Sequence, residues 1–390
     1  MNKEYYLDNG ATTAPYPEVV DKVAEISKFC YGNSSSIHKK GIEAEKEVNK
    51  SKKIIAELSG VNENEIFFTS GGTESNNMAI SGCISANYRK GKHLITTKIE
   101  HSAVLEVFKH YESAGYDVNY INVDNNGIVN IDELKRTIRP DTVLVSVMAV
   151  NNETGCIQPI QEIGSFLNAM KNKPYFHVDA VQAFGKMIIR PDLWRIDMMS
   201  VSAHKLHGPK GVGALYIKTG TKIKPVMWGG GHQAGMRSGT LNTPGISGFG
   251  LAAEIIHKNM KANSKNFAEM RKILITGLKE NFENIKIHSE NCSLDQIVCI
   301  SFDGLKGEVL MHHLETKGIY VSTGSACSSN GKHSTSHVLN AMNIKPDLAN
   351  GTIRISFSEF NVKEDMLVLI KALQEIVPVI TIKNKNKIRR

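Results

Sequence analysis

The stretch Ser200-Val-Ser-Ala-His-Lys-Leu-His-Gly-Pro-Lys-Gly-Val-Gly-Ala-Leu-Tyr216 decides how the chain is read. Met198–Val201 is an apolar run of strand length, and it gives way to small and polar residues followed by a glycine-rich turn. Lys205 follows this strand, whose apolar residues predict burial, and is flanked by Ser202, His204 and His207. A lysine so placed suits Schiff-base chemistry, which needs an amine that can be desolvated to its neutral form. Taken alone, a surface lysine on a strand-to-turn junction is the simpler reading.

One strand and one connection upstream lies His177-Val-Asp-Ala-Val-Gln182. Asp179, at the end of that apolar run, could pair with the protonated ring nitrogen of pyridoxal phosphate and keep the ring an electron sink. Gln182 could reach the ring oxygen. Thr69-Ser-Gly-Gly-Thr-Glu-Ser-Asn76 follows another strand and opens a helix. Gly71 and Gly72 permit close backbone approach, and Thr73 adds a hydroxyl at the helix N-terminus, which makes a phosphate seat. The same S-G-G-T run serves equally well as a helix cap.

Outward from these segments, the pattern repeats. Strand-like runs fall at Glu65–Phe68, His93–Thr96, Val118–Ile121, Val143–Val147, Tyr175–Val178 and Met198–Val201. Helical patterns lie at 37–59, ended by Gly60, at 73–90, ended by Gly91, and at 102–114, 131–138 and 160–170. This βαβ rhythm predicts an α/β fold with a largely parallel sheet, helices on both faces and ligands at the carboxyl ends of the strands. After residue 244 the rhythm changes to a long helix from Pro244 past Lys279. A strand at Gln296–Phe302, a helix from Gly307, a strand near Tyr320, a short helix near Val338, a strand at Ile353–Phe357 and a final helix from Glu364 follow. That half reads as a smaller α+β domain. The expected division is a large domain over 16–255 and a small one made of 1–15 and 256–390.

Composition bounds the function classes. At 390 residues the chain exceeds one core of ordinary size. Its 41% hydrophobic and 22% charged residues match a soluble globular protein, and no apolar stretch reaches membrane-helix length. The first residues lack the apolar core of a secretory signal, so the expected location is the cytoplasm. The six cysteines contain no C-x-x-C pair and no zinc spacing, so they are expected as reduced thiols without a metal. The net charge of +8 owes much to Lys383, Lys385, Lys387, Arg389 and Arg390. This tail reads as a solvated, frayed end. Contact with RNA or an acidic partner is the sharper alternative, and no recognised nucleic-acid motif supports it.

The segments together resemble the class V aminotransferase-like, fold-type I pyridoxal-phosphate enzymes, and within them the cysteine desulfurases of the NifS/IscS type. The resemblance runs through Tyr6-Leu-Asp-Asn-Gly-Ala-Thr-Thr13, Tyr31-Gly-Asn33, Phe68-Thr-Ser-Gly-Gly-Thr-Glu-Ser-Asn-Asn77, Glu100-His101 and Val150-Asn-Asn-Glu-Thr-Gly155. It continues through His177-Val-Asp179, the Lys205 segment, Arg237-Ser-Gly-Thr240, Ser322-Thr-Gly-Ser-Ala-Cys-Ser-Ser329 and Thr352-Ile-Arg-Ile-Ser356. It implies a mostly parallel seven-stranded sheet in the large domain. It also implies that Lys205 binds the cofactor covalently, Asp179 pairs with its ring nitrogen, and His101 stacks on the ring and helps move protons. Asn152 and Gln182 would contact the ring hydroxyl side, and Gly72, Thr73, Ser202 and His204 would hold the phosphate. Thr240 would reach the phosphate of a neighbouring subunit, implying a homodimer, and Arg354 would bind the carboxylate of L-cysteine, a task its two-pronged fork suits.

Cys327 decides the chemistry. Its surroundings, Ser322 to Ser336, are small and polar at nearly every position and cannot build a core, unlike those of a structural cysteine. Lys332 and His333 could favour its thiolate. The resemblance makes it the residue that takes sulfur from L-cysteine as a persulfide, leaving L-alanine, and hands it to an acceptor protein for iron–sulfur assembly or tRNA thiolation. Two other readings share this sequence: a selenocysteine or cysteine lyase without a persulfide relay, and a non-catalytic sulfur-relay scaffold. Departures from the usual pattern are Gly10 for alanine, Ser34 for proline, and His232-Gln233 for Gln-Glu, the last with no assignable effect. Cys156 reads as a packing residue.

Overall fold

A computed structural model of the chain describes residues 3–323 and 336–388. Seven strands form the larger sheet, in the spatial order Ile66–Thr69, Gly213–Ile217, Met198–Ser202, Tyr175–Asp179, Thr142–Met148, His93–Thr97, Asp117–Ile121. Gly213–Ile217 runs antiparallel to both neighbours, and every other pairing is parallel. The near-continuous burial of Thr142–Met148 and Met198–Ser202 follows from helices covering both faces.

The parallel strands all point one way, so their carboxyl ends share one edge. Thr69, Thr97, Met148, Asp179 and Ser202 are the last residues of five strands there. Register places Asp179 opposite Met148 on one side and Ser200 on the other.

A second, four-stranded sheet orders Ser322–Thr323, Thr352–Ser356, Ile297–Phe302 and Ile285–His288, all antiparallel. The N-terminal segment joins this body. Tyr5–Tyr6 pairs in parallel with Ile319–Tyr320, Leu7 is buried in the second core, and Asn9 N–H donates to Ser356 O at 3.0 Å. The helix Thr243–Asn281 spans both bodies. Its Ile246, Phe249 and Ile256 lie in the core of the large sheet, and its Phe267, Met270, Leu274 and Leu278 in that of the small one. It is continuous through residues 255 and 256.

Several element ends differ from the sequence expectation. The helix that opens at Gly72 closes at Ala86, five residues before Gly91, where Asn87 Nδ2 donates back to Cys83 O at 2.8 Å. The helix before Gly60 begins at Lys39, and Gly60 ends it at φ 68°, a left-handed conformation that glycine adopts without strain. The expected frayed tail is helical in its backbone: Lys363–Ile388 runs through Lys383, Lys385 and Lys387. Arg389 and Arg390 lie outside the described residues. The helix Pro17–Phe29 and the strands Gly213–Ile217 and Ile285–His288 were not anticipated.

Candidate active site

The site residues gather where the shared strand edge meets the N-terminal segment. Lys205 closes a single 3₁₀ turn, Ala203–Lys205, directly after the strand that ends at Ser202. Its Nζ donates to Gly10 O and to Ala11 O, both at 2.7 Å. Residues 10–13 are fixed against this turn, because Thr13 N–H donates to His204 O at 2.9 Å and His207 N–H donates to Thr13 Oγ1 at 2.7 Å. Gln182 Nε2 donates to Gly10 O at 2.8 Å, so one backbone carbonyl serves both Lys205 and Gln182.

Asp179 is 5% exposed. Its Oδ2 accepts from Asn76 Nδ2 at 2.7 Å and its Oδ1 from Val181 N–H at 3.0 Å. Asn76 sits in the helix Gly72–Ala86, one turn beyond the glycine pair. Gly71 has φ 150°, which admits no side chain comfortably, and a Cβ on Gly72 would lie 2.7 Å from Val181 Cγ2. The backbone at this helix start is therefore bare. Ser202 Oγ lies 3.7 Å from where a Cβ on Gly71 would stand, and is buried without a hydrogen-bond partner. A buried hydroxyl left unpaired beside a helix N-terminus is the setting expected of an anion seat.

Charge at the edge is tuned by burial. His204 Nδ1 lies 3.2 Å from Thr12 Oγ1. Burial, then the Lys205, Lys210 and Lys186 cations, push the His204 imidazole down to about 4, so it is neutral at pH 7. His101 caps the helix Ser102–Ser113, its Nδ1 accepting from Ala103 N–H at 3.1 Å. Burial lowers its pKa, Asp179 raises it, and Lys205 lowers it, which places His101 within the electrostatic reach of both.

Arg354, 6% exposed, lies on the strand Thr352–Ser356 of the small sheet and reaches across to the large one. Its two terminal nitrogens donate to Asn152 O and Asp8 Oδ1, each at 2.7 Å, and its Nε is buried without a partner. A Cβ on Gly10 would come within 3.1 Å of that Nε, so glycine lets this backbone pack closely against the guanidinium.

Two carboxyls that carry no role in the sequence reading stand behind these groups. Glu100 Oε1 accepts from Thr97 Oγ1 at 2.7 Å and from Met148 N–H at 2.9 Å, while its Oε2 is buried and unpartnered. Burial pushes Glu100 up to about 8 and Glu153 up to about 7. Glu153 Oε2 accepts from Ser336 Oγ, and His337 Nε2 lies 3.0 Å from Glu100 O. On the other side, Ser322 pairs with Arg354 and Thr323 with Ile353. The residues flanking 324–335 are thus rooted at the site from both ends. Cys327, Lys332 and His333 lie outside the described residues. Thr240 is exposed and joins none of these hydrogen bonds.

Gln233 accounts for one departure. Its side chain accepts from Phe68 N–H at 2.6 Å and donates to Phe68 O at 2.8 Å, completing the open edge of the outermost strand before the glycine pair. His232 Nδ1 accepts from Gly239 N–H at 3.3 Å and folds the same turn.

The carboxyl pKa values give a pH prediction. Glu100 and Glu153 have folded pKa values raised above the unfolded range near ~4.3. Their stabilising effect is complete below that range and is lost as pH rises towards 7 and 8. His204 works in the opposite sense, its contribution present above about 6.5 and lost as pH falls towards 4. Glu100→Gln keeps an acceptor for Thr97 and Met148 and cannot ionise. Its thermal midpoint should fall less than that of the parent chain between pH 6 and pH 8.5. The underlying slope is at most about 1.4 kcal/mol per pH unit. Parallel curves would show that Glu100 does not titrate in this window.

Comparison with known proteins places these features in context. The aminotransferase class-V family model matches residues 5–369. The cysteine desulfurase IscS of Dictyoglomus turgidum is 42% identical over 378 residues, covering 97% of this chain and 95% of that protein. The cysteine desulfurase IscS of Methanosarcina thermophila is 43% identical over 376 residues, 96% of this chain and 92% of its own. Among solved structures, a NifS-like protein superposes with a TM-score of 0.91 at 37% identity, covering 97% of this chain and all of the other.

Proposed function

Because the chain belongs to the class-V aminotransferase family, and within it to the cysteine desulfurases, we propose that the gathered edge is the site at which this pyridoxal-phosphate enzyme takes sulfur from L-cysteine. The observation that carries the assignment is the in-register placement of Asp179 and the Lys205 strand, with Ser202 Oγ buried and unpaired beside a bare helix start.

The residues fit the cofactor. Gly72, Thr73, Ser202 and His204 offer backbone N–H groups, hydroxyls and a neutral imidazole to a phosphate. Asp179, held by Asn76, offers a carboxylate to a ring nitrogen, Lys205 an amine to the aldehyde, and Asn152 and Gln182 polar groups to the ring hydroxyl side. When bound, pyridoxal phosphate supplies the electron sink that accepts the pair left at the substrate Cα.

The chain's own groups do the rest. Arg354 binds the substrate carboxylate with its guanidinium fork. Lys205 would serve as the base that removes the substrate Cα proton, and His101 would help move protons. Cys327 thiolate attacks the substrate sulfur. An S–S bond forms and the Cβ–S bond breaks with its electron pair on carbon, which takes a proton and becomes the methyl group of L-alanine. The sulfur stays on Cys327 as a persulfide.

A homodimer fits the exposure of Thr240, which on this reading is completed by the phosphate site of a second copy. The persulfide passes to an acceptor protein of iron–sulfur assembly or tRNA thiolation. Residues 16–255 act as the cofactor-binding domain, and 1–15 with 256–390 as the domain that carries Cys327. The unpaired thiols, five among the described residues, suit the reducing cytoplasm. Among those residues no helix is long and apolar enough to cross a membrane.

The test is to purify the chain with pyridoxal phosphate, record its visible spectrum, and follow alanine and sulfide on addition of cysteine and a reductant. A cofactor band with alanine and sulfide in equal amounts supports the reading. A band without alanine overturns the assignment of the substrate site. No band after added cofactor overturns the assignments of Lys205 and Asp179.

A further inference from the structure

Two of the thiols left out of this chemistry lie together. Cys156 is in the loop that follows Asn152 and Glu153, and Cys292 is in the segment leading to the strand Ile297–Phe302. They are 136 residues apart in sequence, yet their Sγ atoms are 3.5 Å apart. The backbones that carry them are already docked. Cys156 and Ser293 form an antiparallel bridge, Ile157 N–H donates to Cys292 O at 2.7 Å, and Leu294 N–H donates to Gly155 O at 2.9 Å. The second segment is stapled from behind by Arg271, whose guanidinium donates to Ile297 O, Glu290 O and Ser293 Oγ, each at 2.8 Å. A disulfide needs an S–S distance of ~2.05 Å, and with the backbones docked the proposal has side-chain rotation close the remaining gap.

Their environments differ in a useful way. Cys156 is buried, and burial followed by the neighbouring Cys292 raises its pKa. Cys292 is partly exposed. An oxidant from solvent therefore reaches Cys292 first and finds the second thiol waiting behind it. The other described cysteines differ: Cys83 and Cys299 are buried, and among the described residues the Sγ–Sγ contact is that of Cys156 with Cys292.

We propose that Cys156 and Cys292 form a reversible oxidation site that a peroxide converts to a disulfide, tying the loop beside Asn152 to the approach of the small sheet. Cys292 thiolate attacks one peroxide oxygen, giving a sulfenic acid and one water after protonation. Cys156 sulfur then displaces the hydroxyl from Cys292 sulfur, and the departing hydroxide takes the Cys156 proton and leaves as a second water. Two thiols lose two electrons and two protons, and one hydrogen peroxide is reduced to two waters. The bond would close a loop of more than a hundred residues, and it would restrain Asn152, whose carbonyl holds Arg354. In a reducing compartment a disulfide of this kind is transient and responsive rather than structural.

The experiment uses the full chain loaded with cofactor and treated with a modest excess of hydrogen peroxide. It is then denatured, alkylated with iodoacetamide and digested for mass spectrometry, with Cys30 as an internal control. The expected result is a cross-linked pair of peptides containing Cys156 and Cys292, two hydrogens lighter than their sum. Both cysteines lose alkylation together, and dithiothreitol restores it. The unfolding midpoint of the oxidised chain should rise by about 5 °C. Cys292→Ser, a change at a partly exposed position, should leave Cys156 fully alkylated after peroxide and abolish the rise in midpoint. Oxidation of Cys292 to sulfinic acid with Cys156 still alkylated would overturn the proposal. So would full alkylation of both at a dose that oxidises Cys30.

Discussion

Lys205→Ala will stop alanine formation, lowering the rate by about 10³-fold or more, the scale of losing a positioned acid–base group together with its covalent role. The fold should survive. Gly10 O keeps its hydrogen bond from Gln182 Nε2, and the turn that carries residue 205 is held independently by Thr13 on His204 O and His207 N–H. Asp179, Ser202 and the bare helix start remain, so the variant should still take up pyridoxal phosphate, but its visible band should differ from that of the parent because no lysine is attached. A small primary amine added from outside should restore part of the activity, which a merely structural lysine would not allow. The measurement is alanine release with and without methylamine. A variant that kept more than a tenth of the parent rate would sink the assignment of Lys205.

Cys327→Ala will separate colour from chemistry. The described cofactor seat is built by Asn76, Asp179, Ser202 and the helix start at Gly72, so the visible band should match that of the parent chain. Sulfur transfer should fall by about 10³-fold or more, in the range seen when a catalytic nucleophile is removed. Mass spectrometry of the parent chain after cysteine should show one extra sulfur on the peptide containing Cys327, and the variant should show none. Free sulfide and alanine at the parent rate from the variant would instead establish a lyase that needs no persulfide carrier. A colourless parent chain would revive the reading of a sulfur-relay scaffold.

What was legible in the sequence was local. Gly60 after an amphipathic run, the glycine pair before Thr73, and the alternation of strand-length and helix-length segments announce themselves within a few residues, and they led to the parallel sheet and its carboxyl edge. Gly213–Ile217 carries little strand signal because its first residues are small, and its antiparallel insertion breaks the βαβ rhythm. The helix Pro17–Phe29 has only Val19 and Ile26 buried, too sparse a stripe to give a helical period. The contacts that shape the candidate site are mostly non-local. Asn76 meets Asp179 across 103 residues, Gln233 meets Phe68 across 165, and Arg354 meets Asn152 across 202. No spacing rule reveals such pairs. Glu100 and Glu153 stand inside recognisable segments, yet their raised pKa values come from complete burial, which only the folded chain displays.

The helix Thr243–Asn281 has a thermodynamic consequence. One end is packed in the core of the seven-stranded sheet and the other in that of the four-stranded sheet, and no break in its hydrogen bonding separates them. A helix turn that loses its packing at one end exposes apolar surface there and also removes the support on which the neighbouring turns propagate. The free energies of the two halves are therefore not independent quantities. Heating should produce one cooperative melting transition, in which the seven-stranded and the four-stranded sheets are lost together.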